Sequence, residues 1–316
     1  MADPLATVET KAPPAPARQG SGRWLVLIVP YLWLLIFFAA PFLIVFKISL
    51  STAAMAIPPY TPVFDLAQGF VGLVRGIQEF AVDNYLWLVS DDLYIRAYLS
   101  SLWIAAISTF LTLLVAYPLA YGMARAPKGW QPTLVMLVIL PFWTSFLIRV
   151  YSWIGILKKE GLLNQLLLYV GAIDQPLTIL NTNWAVYIGI VYSYLPFMVL
   201  PLYAALERLD DTLLEAASDL GSPPSRAFWQ ITFPLSLPGV IAGCFLVFIP
   251  VTGEFVIPDL LGGTGTLMIG KTLWTEFFNN RDWPLASAVA VILLFLLIIP
   301  IVLFQNMEQK RAERER

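Results

Sequence analysis

Histidine is absent from this sequence of 316 residues, and cysteine occurs once, at Cys244. Without histidine the chain has no imidazole metal site, no Ser-His triad and no histidine proton relay. A single cysteine forms neither a disulfide within the chain nor a cysteine cluster for a metal. We therefore expect no metal site in this chain, and we interpret Cys244 as a small packing residue.

Charged residues are also scarce. They make up 13% of the chain, whereas hydrophobic residues make up 59% and the mean hydropathy is +0.75. Soluble proteins carry about 25% charged residues, and a water-soluble globule could not bury so much apolar surface. The composition therefore predicts an integral membrane protein. The net charge of −2 excludes a nucleic-acid-binding protein with a broad basic surface.

Six apolar segments are each long enough to cross a membrane as a helix, which needs about 20 residues. A β-barrel would show short segments of alternating hydrophobicity instead. The sequence therefore predicts an all-α, polytopic membrane protein with six transmembrane helices. The predicted spans are residues 24–46, 98–124, 133–157, 184–206, 238–258 and 283–304.

The two ends of the chain differ from the predicted transmembrane domain, residues 24–305. Residues 1–23 are rich in proline and alanine and are predicted to be a disordered tail, while residues 306–316 form a charged tail. The first apolar segment is too long for a cleaved signal, so we expect a retained anchor. Six spans place both termini on one side. Lys and Arg are more frequent on that side if it is the cytoplasm, with the loop 207–236.

Two of the predicted outer loops require interpretation. The loop 47–97 is long enough to be either a solvated connector or a docking surface for an extracytoplasmic partner. The loop near 259–282 contains Gly262, Gly263 and Gly265 but lacks the pattern of a phosphate-binding loop, and Lys271 stands at the wrong spacing. We therefore expect no nucleotide site in this chain.

The cytoplasmic loop 207–236 begins with the pattern of an amphipathic helix that lies outside the membrane. At 100° per residue one face is apolar and another is acidic. The apolar face comprises Leu206, Leu209, Leu213, Ala217 and Leu220, and the acidic face comprises Glu207, Asp211, Glu215 and Asp219. Gly221 is expected to end this helix, and a second short helix over 225–231 is expected to stop at Pro234.

The acidic face indicates what this helix contacts. The alternative is a helix that lies on the bilayer surface, but the lipid headgroups of the inner leaflet are anionic and attract basic helices. A protein partner is therefore the better explanation of the acidic face.

The same loop resembles the signature loop of ABC-importer permeases. The family pattern is Glu-Ala-Ala, three residues, Gly, nine residues, Ile, one residue, Leu-Pro. The matching residues here are Glu215, Ala216, Ala217, Gly221, Ile231, Phe233 and Pro234, with Phe233 in place of Leu. The resemblance implies that Glu215, Ala216, Ala217 and Gly221 form a coupling helix that docks on an ATPase subunit.

Four further segments, 41–50, 142–153, 253–263 and 277–284, are similar to the first permease subunit of the polyamine (putrescine/spermidine) importers. The resemblance covers nearly all of residues 25–305. It implies a type I ABC importer permease fold in a bacterial inner membrane, and import of putrescine or spermidine by alternating access. It also implies four partners besides the membrane lipid: a second homologous permease, two cytoplasmic ATPase subunits that hold ATP and Mg²⁺, and a periplasmic polyamine-binding protein.

Other functions remain open from the residues alone. A permease of the same family could carry another small solute. A secondary transporter driven by an ion gradient would show internal repeats with discontinuous helices, and no such repeat is evident. A membrane scaffold without transport would have no use for a carboxylate within a span.

Glu254 is that carboxylate, in the predicted span 238–258 between Pro250 and Pro258. The prolines predict a broken or kinked helix that lines a cavity. A polyamine is a flexible polycation that needs carboxylates and aromatic faces. Glu254 is therefore predicted to meet the substrate, or to form a structural ion pair with Arg149 of the third span, and the two roles are compatible.

Four other residues are candidates for the substrate path. Asp259 is either a carboxylate near the outer mouth or a solvated surface charge. Tyr151, Trp153 and Tyr194 are aromatic residues near a charge or a proline, although most aromatic residues in spans serve packing or the membrane interface. No residue of this chain is assigned a catalytic role.

Overall fold

The computed structural model describes residues 22–63 and 78–314, which are almost entirely helical. The chain divides into two units, Met1–Lys47 and Ile48–Arg316. The described part of the first unit is one long helix, and it leads into the second. This long helix comprises α1 (Gly22–Leu34), a π-helical turn (Leu35–Ala39) and α2 (Ala40–Ser49), and its last two residues belong to the second unit. The tail predicted over 1–23 lies outside the described residues, apart from its last two positions, which begin α1.

The loop predicted over 47–97 is partly folded, and its residues 64–77 lie outside the described part of the chain. Two short antiparallel strands pair Thr52 with Thr61 and Ala53 with Tyr60. The strands and the helices that follow are β1 (Thr52–Ala53), β2 (Tyr60–Thr61), α3 (Asp83–Ser90) and α4 (Asp92–Ala124). The α4 helix begins before the predicted residue 98 because the Asp91 side chain accepts the Leu93 N–H at 2.8 Å and caps it.

Three long helices form the core of the second unit, and each packs against the other two. They are α4, α8 (Asn183–Glu207) and α11 (Phe233–Thr252). Small residues allow the close approach of α8 and α11. A Cβ at Gly239 would lie 2.6 Å from Ala205 Cβ and 2.7 Å from Pro201 O, so only glycine fits there.

The third predicted span, 133–157, is not a single helix. The chain bends by 88° between two parts of it. The first part comprises α5 (Gln131–Ile139) and a 3₁₀ turn (Leu140–Trp143). The second part comprises α6 (Phe146–Leu157) and α7 (Leu162–Tyr169), which lies beyond the predicted span. The bend arises because Thr144 and Ser145 are extended, with ψ angles of 153° and 133°. Hydropathy did not reveal the break because both parts are apolar.

The segment between α8 and α11 differs from the prediction in two ways. The amphipathic helix predicted from Leu206 is interrupted at residues 208–211, and the segment continues as α9 (Thr212–Asp219) and α10 (Pro224–Ala227). The helix expected to stop at Pro234 instead runs on. The π-helical turn Phe228–Thr232 joins α10 to α11, and Pro234, which has no N–H, lies directly after this turn within one continuous helix.

The last part of the chain begins where α11 ends, at Thr252. It contains α12 (Val256–Leu260), α13 (Ile269–Trp274), a π-helical turn (Thr275–Asn279) and α14 (Trp283–Arg314). The α14 helix includes the predicted span 283–304 and most of the charged tail predicted over 306–316. Five helices in the described ranges are long and apolar enough to cross a membrane, or six if the bent third segment counts as one.

Candidate functional site

A cavity of about 730 Å³ lies among the bent third segment, α8 and α11. Its wall combines aromatic rings with one basic and one acidic side chain. The lining residues are Phe142, Thr144, Phe146, Arg149, Ser193, Tyr194, Phe197, Phe245, Leu246, Ile249, Pro250 and Glu254. This volume falls in the range of about 300–1,000 Å³ that small-molecule sites occupy.

Glu254 lies at the break between α11 and α12 and is only 8% exposed. One carboxylate oxygen, Oε1, accepts the backbone N–H groups of Phe255 at 3.1 Å and Val256 at 2.9 Å, and so caps α12. The other oxygen, Oε2, accepts the Tyr194 hydroxyl at 2.5 Å. The break of the helix thus places a hydrogen-bonded carboxylate in the cavity wall, as the flanking prolines predict.

Arg149 lines the same cavity and is 9% exposed. The structure shows no ion pair within 4.0 Å between Arg149 and Glu254, and Nε of Arg149 is buried without a hydrogen-bond partner. The guanidinium carbon lies 5.1 Å from the ring centre of Phe142 and 5.9 Å from that of Phe146. The carboxylate of Glu254 instead accepts the N–H groups at the start of α12 and the Tyr194 hydroxyl.

The structure separates the other predicted path residues from the cavity. Tyr194 belongs to the lining, but Tyr151 is 57% exposed and is not part of it. Trp153 packs its ring against Tyr192 with the centres 5.4 Å apart. Asp259 forms an ion pair with Lys271 at 3.2 Å, and both side chains are partly exposed. Glu254 and Tyr194 are therefore the two predicted path residues that meet in one site.

Sequence reasoning missed most of the aromatic lining. Phe142 and Phe146 stand four residues apart and Arg149 three further on, which is the spacing of one helix face. The bend between residues 143 and 146 breaks that helix, yet the three side chains still share the cavity. Phe197 lies three residues after Tyr194 and contacts Phe142 with ring centres 5.2 Å apart. Their helical spacing from Arg149 and Tyr194 was the feature of the sequence that could have identified these aromatic residues as cavity lining.

A second candidate site is the coupling surface, defined by α9 and the turn that follows it. Ala217 packs inward, whereas Glu215 and Ala216 are exposed. Gly221 adopts φ +74°, and the Ser222 N–H donates to Ala217 O at 2.9 Å, which closes the helix end. Leu220 is 88% exposed. The surface thus exposes both an acidic side chain and an apolar side chain.

The start of the coupling surface is tied to the turn after α4. Arg125 forms an ion pair with Asp211, and its guanidinium lies 5.6 Å from the Tyr121 ring centre. The Thr212 N–H donates to Asp210 Oδ1 at 3.0 Å, and hydrogen bonding from Thr212 holds the pKa of this exposed carboxyl below its usual range. These contacts fix where α9 begins.

Among residues 22–63 and 78–314, no group of three or more Cys, Asp or Glu side chains is placed to hold a metal ion.

The sequence matches known permeases over most of its length. Residues 24–314 match the family described as "Binding-protein-dependent transport system inner membrane component". The chain is 44% identical over 225 residues to the spermidine/putrescine transport system permease protein PotB of Salmonella typhimurium (strain SL1344), with 71% of this chain and 78% of that protein covered. It is 43% identical over 239 residues to PotB of Escherichia coli (strain K12), which covers 75% and 86% of the two chains.

Solved structures show the same fold. A chain of a bacterial ABC transporter that imports the acidic polysaccharide alginate superposes with a TM-score of 0.65 at 17% identity, over 92% of this chain and 95% of that one. A chain of the MetNI methionine ABC transporter in an inward-facing conformation superposes with a TM-score of 0.52 at 18% identity, over 70% and 95% of the two chains. The type I importer permease fold implied by the resemblance to polyamine-importer permeases is therefore confirmed.

Proposed function

Because the chain belongs to the family of binding-protein-dependent transport system inner membrane components, we propose that it forms half of the translocation path of an ATP-driven importer of spermidine or putrescine. The observation that carries this proposal is the 44% identity to permeases named for that transport, over 71% of the chain. The chain is a multi-pass membrane protein and a transport component.

The cavity fits an organic cation. Glu254 supplies a carboxylate, and Tyr194, Phe142, Phe146 and Phe197 supply aromatic faces for cation–π contact. The carboxylate is held by hydrogen bonds, so its position is fixed before a substrate arrives. A substrate ammonium group approaching Glu254 competes with the Tyr194 hydroxyl for Oε2, and this exchange gives the site a reversible, moderate affinity.

The coupling surface fits an ATPase subunit. Leu220 and Glu215 are both exposed, a combination that suits a groove with apolar and basic residues. The exposed Ala216 is small enough for close approach of a partner backbone. The ion pair of Arg125 with Asp211 joins this surface to the end of α4. A displacement of α9 is therefore transmitted directly to one of the three core helices.

The complete transporter contains, in this proposal, a second homologous permease, two cytoplasmic ATPase subunits that bind ATP and Mg²⁺, and a periplasmic polyamine-binding protein. The chain lies in the bacterial inner membrane with both termini in the cytoplasm. ATP hydrolysis belongs to the partners.

One observation favours a second candidate, a zwitterionic amine as the solute. Arg149 shares the cavity with Glu254, so the described lining carries one charge of each sign. A solute with an anionic group would satisfy Arg149, whereas a simple polyamine would not.

Purification in mild detergent tests the proposed class. We expect a nucleotide-binding subunit and a second permease to accompany the chain, and the preparation to hydrolyse ATP. Putrescine-loaded or spermidine-loaded binding protein should stimulate that hydrolysis, and reconstituted vesicles should accumulate the radiolabelled polyamine. A chain that purifies alone or as a homo-oligomer without ATPase activity would contradict the proposal. Stimulation only by a zwitterionic amine would favour the second candidate.

A further inference from the structure

Arg149 is a buried cation for which the described part of the chain offers no anion. Its Nε atom is buried without a hydrogen-bond partner, and no carboxylate forms an ion pair with the guanidinium. Ser193, which lines the same cavity, also has a buried hydroxyl oxygen without a partner. Two residues of one cavity wall therefore each carry a buried polar atom without a hydrogen-bond partner.

The groups around Arg149 do not supply the missing charge. Glu254 is the only acidic residue in the described lining, and its two oxygens are taken by the N–H groups of α12 and the Tyr194 hydroxyl. The rings of Phe142 and Phe146 attract the guanidinium, but such contacts offset only a part of the cost of burying a charge. An anion from outside the chain is required.

The chemistry of the site indicates which molecule supplies that anion. A polyamine is a cation and is repelled by Arg149. A guanidinium such as that of Arg149 binds a carboxylate through two parallel N–H···O bonds. The cavity lies among helices of the transmembrane domain, and in the proposed transporter the second permease is the protein that shares the membrane with them.

We propose that Arg149 is the docking point for an Asp or Glu side chain of the second permease subunit, which pairs with the guanidinium inside the cavity. This inference rests on the proposed function, since it requires a second permease. The pair would close one wall of the translocation path between the two subunits. Glu254 would then remain the uncompensated charge, and the path would be acidic overall.

Retention of the second permease tests the pairing. The whole transporter is co-expressed with wild-type chain, Arg149→Lys, Arg149→Gln or Arg149→Glu, and the second permease that co-purifies per chain is quantified. We expect retention to fall about tenfold or more for Arg149→Glu, less for Arg149→Gln and least for Arg149→Lys. The matched control is Arg96→Glu, because Arg96 is exposed and pairs only with the exposed Asp92; it should behave as wild type.

A charge-reversal scan identifies the partner group. Each Asp and Glu in the membrane segments of the second permease is changed to Arg and combined with Arg149→Glu. Restoration of at least half of the wild-type retention by one of these changes supports the pair. Wild-type retention in Arg149→Glu, or restoration by none of the reversals, would overturn it.

Three further outcomes separate the alternatives. If Arg149→Glu expressed without the partner is already lost from the membrane, the residue has a role within its own chain and the inference is wrong. If bound phospholipid, counted by mass spectrometry, falls while the second permease is retained, a lipid phosphate is the anion and the inference is again wrong. If the wild-type chain retains no second permease, the proposed function itself fails.

Discussion

Replacement of Glu254 by Gln separates a substrate contact from a structural cap. Gln keeps a carbonyl oxygen for the N–H groups of Phe255 and Val256, and its amide can donate to the Tyr194 hydroxyl, so the hydrogen-bond partners remain. Bonds to a charged group contribute about 1.5–3 kcal/mol and neutral bonds about 0.5–1.5 kcal/mol. We therefore expect the folded state to lose about 1–2 kcal/mol.

The effect on transport should be larger. A substrate ammonium 4 Å from a carboxylate gains about 4 kcal/mol at an effective dielectric constant of 20. Competition with the Tyr194 hydroxyl for Oε2 reduces this gain. If half of it remains, the loss of about 2 kcal/mol corresponds to about a 30-fold weaker interaction. Uptake efficiency of the Glu254→Gln transporter should accordingly fall between about 10-fold and 100-fold.

The assay is ATP-driven uptake of radiolabelled polyamine into vesicles, with thermal melting and subunit composition measured on the same preparations. Tyr194→Phe removes the hydroxyl but keeps the carboxylate, and should keep uptake within a few-fold of wild type. Asp259→Asn is the matched acidic control, because Asp259 pairs with Lys271 outside the cavity. Unchanged uptake in Glu254→Gln would refute the substrate contact. Equal losses of assembly and uptake would assign Glu254 a structural role alone.

Three other substitutions probe the core and the coupling surface. Gly239→Leu places atoms against α8 and should destabilise the chain by about 1–3 kcal/mol, seen as a lower melting temperature, whereas Gly155→Ala enters open space and should not; equal melting of the two would contradict the close packing. Gly221→Val forces a β-branched residue to φ +74°, should cost about 1–2 kcal/mol, and should lower ATPase retention several-fold relative to Gly129→Ala. Leu220→Ser should change the free energy of unfolding by less than about 0.5 kcal/mol, yet it should reduce co-purification of the ATPase subunit several-fold. Full retention of the ATPase subunit would exclude Leu220 from the contact with that subunit.

The apolar segments were predictable because transfer of a long uncharged helix into lipid dominates every local preference. The family pattern of the coupling loop was equally visible, since it fixes residue types at several spacings. Helix breaks were harder to predict. Thr144 and Ser145 lie within an apolar stretch, and their extended backbone depends on packing around them rather than on composition.

The candidate site was predictable in part. Glu254 stood out as a charge in an apolar segment, and Tyr194 stood near a proline. The structure shows no ion pair within 4.0 Å between Glu254 and Arg149, whereas this carboxylate, just before a short helix, accepts backbone N–H groups one and two residues away. Capping of a nearby helix competes with a long-range ion pair for the carboxylate, and it does not depend on how distant helices pack.

The break at Thr144 and Ser145 also makes the third segment a hinge. A straight helix resists bending because backbone hydrogen bonds join each turn to the next. Here that series of hydrogen bonds is already interrupted, so a tilt of α6 against α5 breaks no further backbone hydrogen bonds between turns. Phe142 lines the cavity from one side of the break and Arg149 from the other. Such a tilt therefore changes the width of the cavity while α4, α8 and α11 keep their mutual packing.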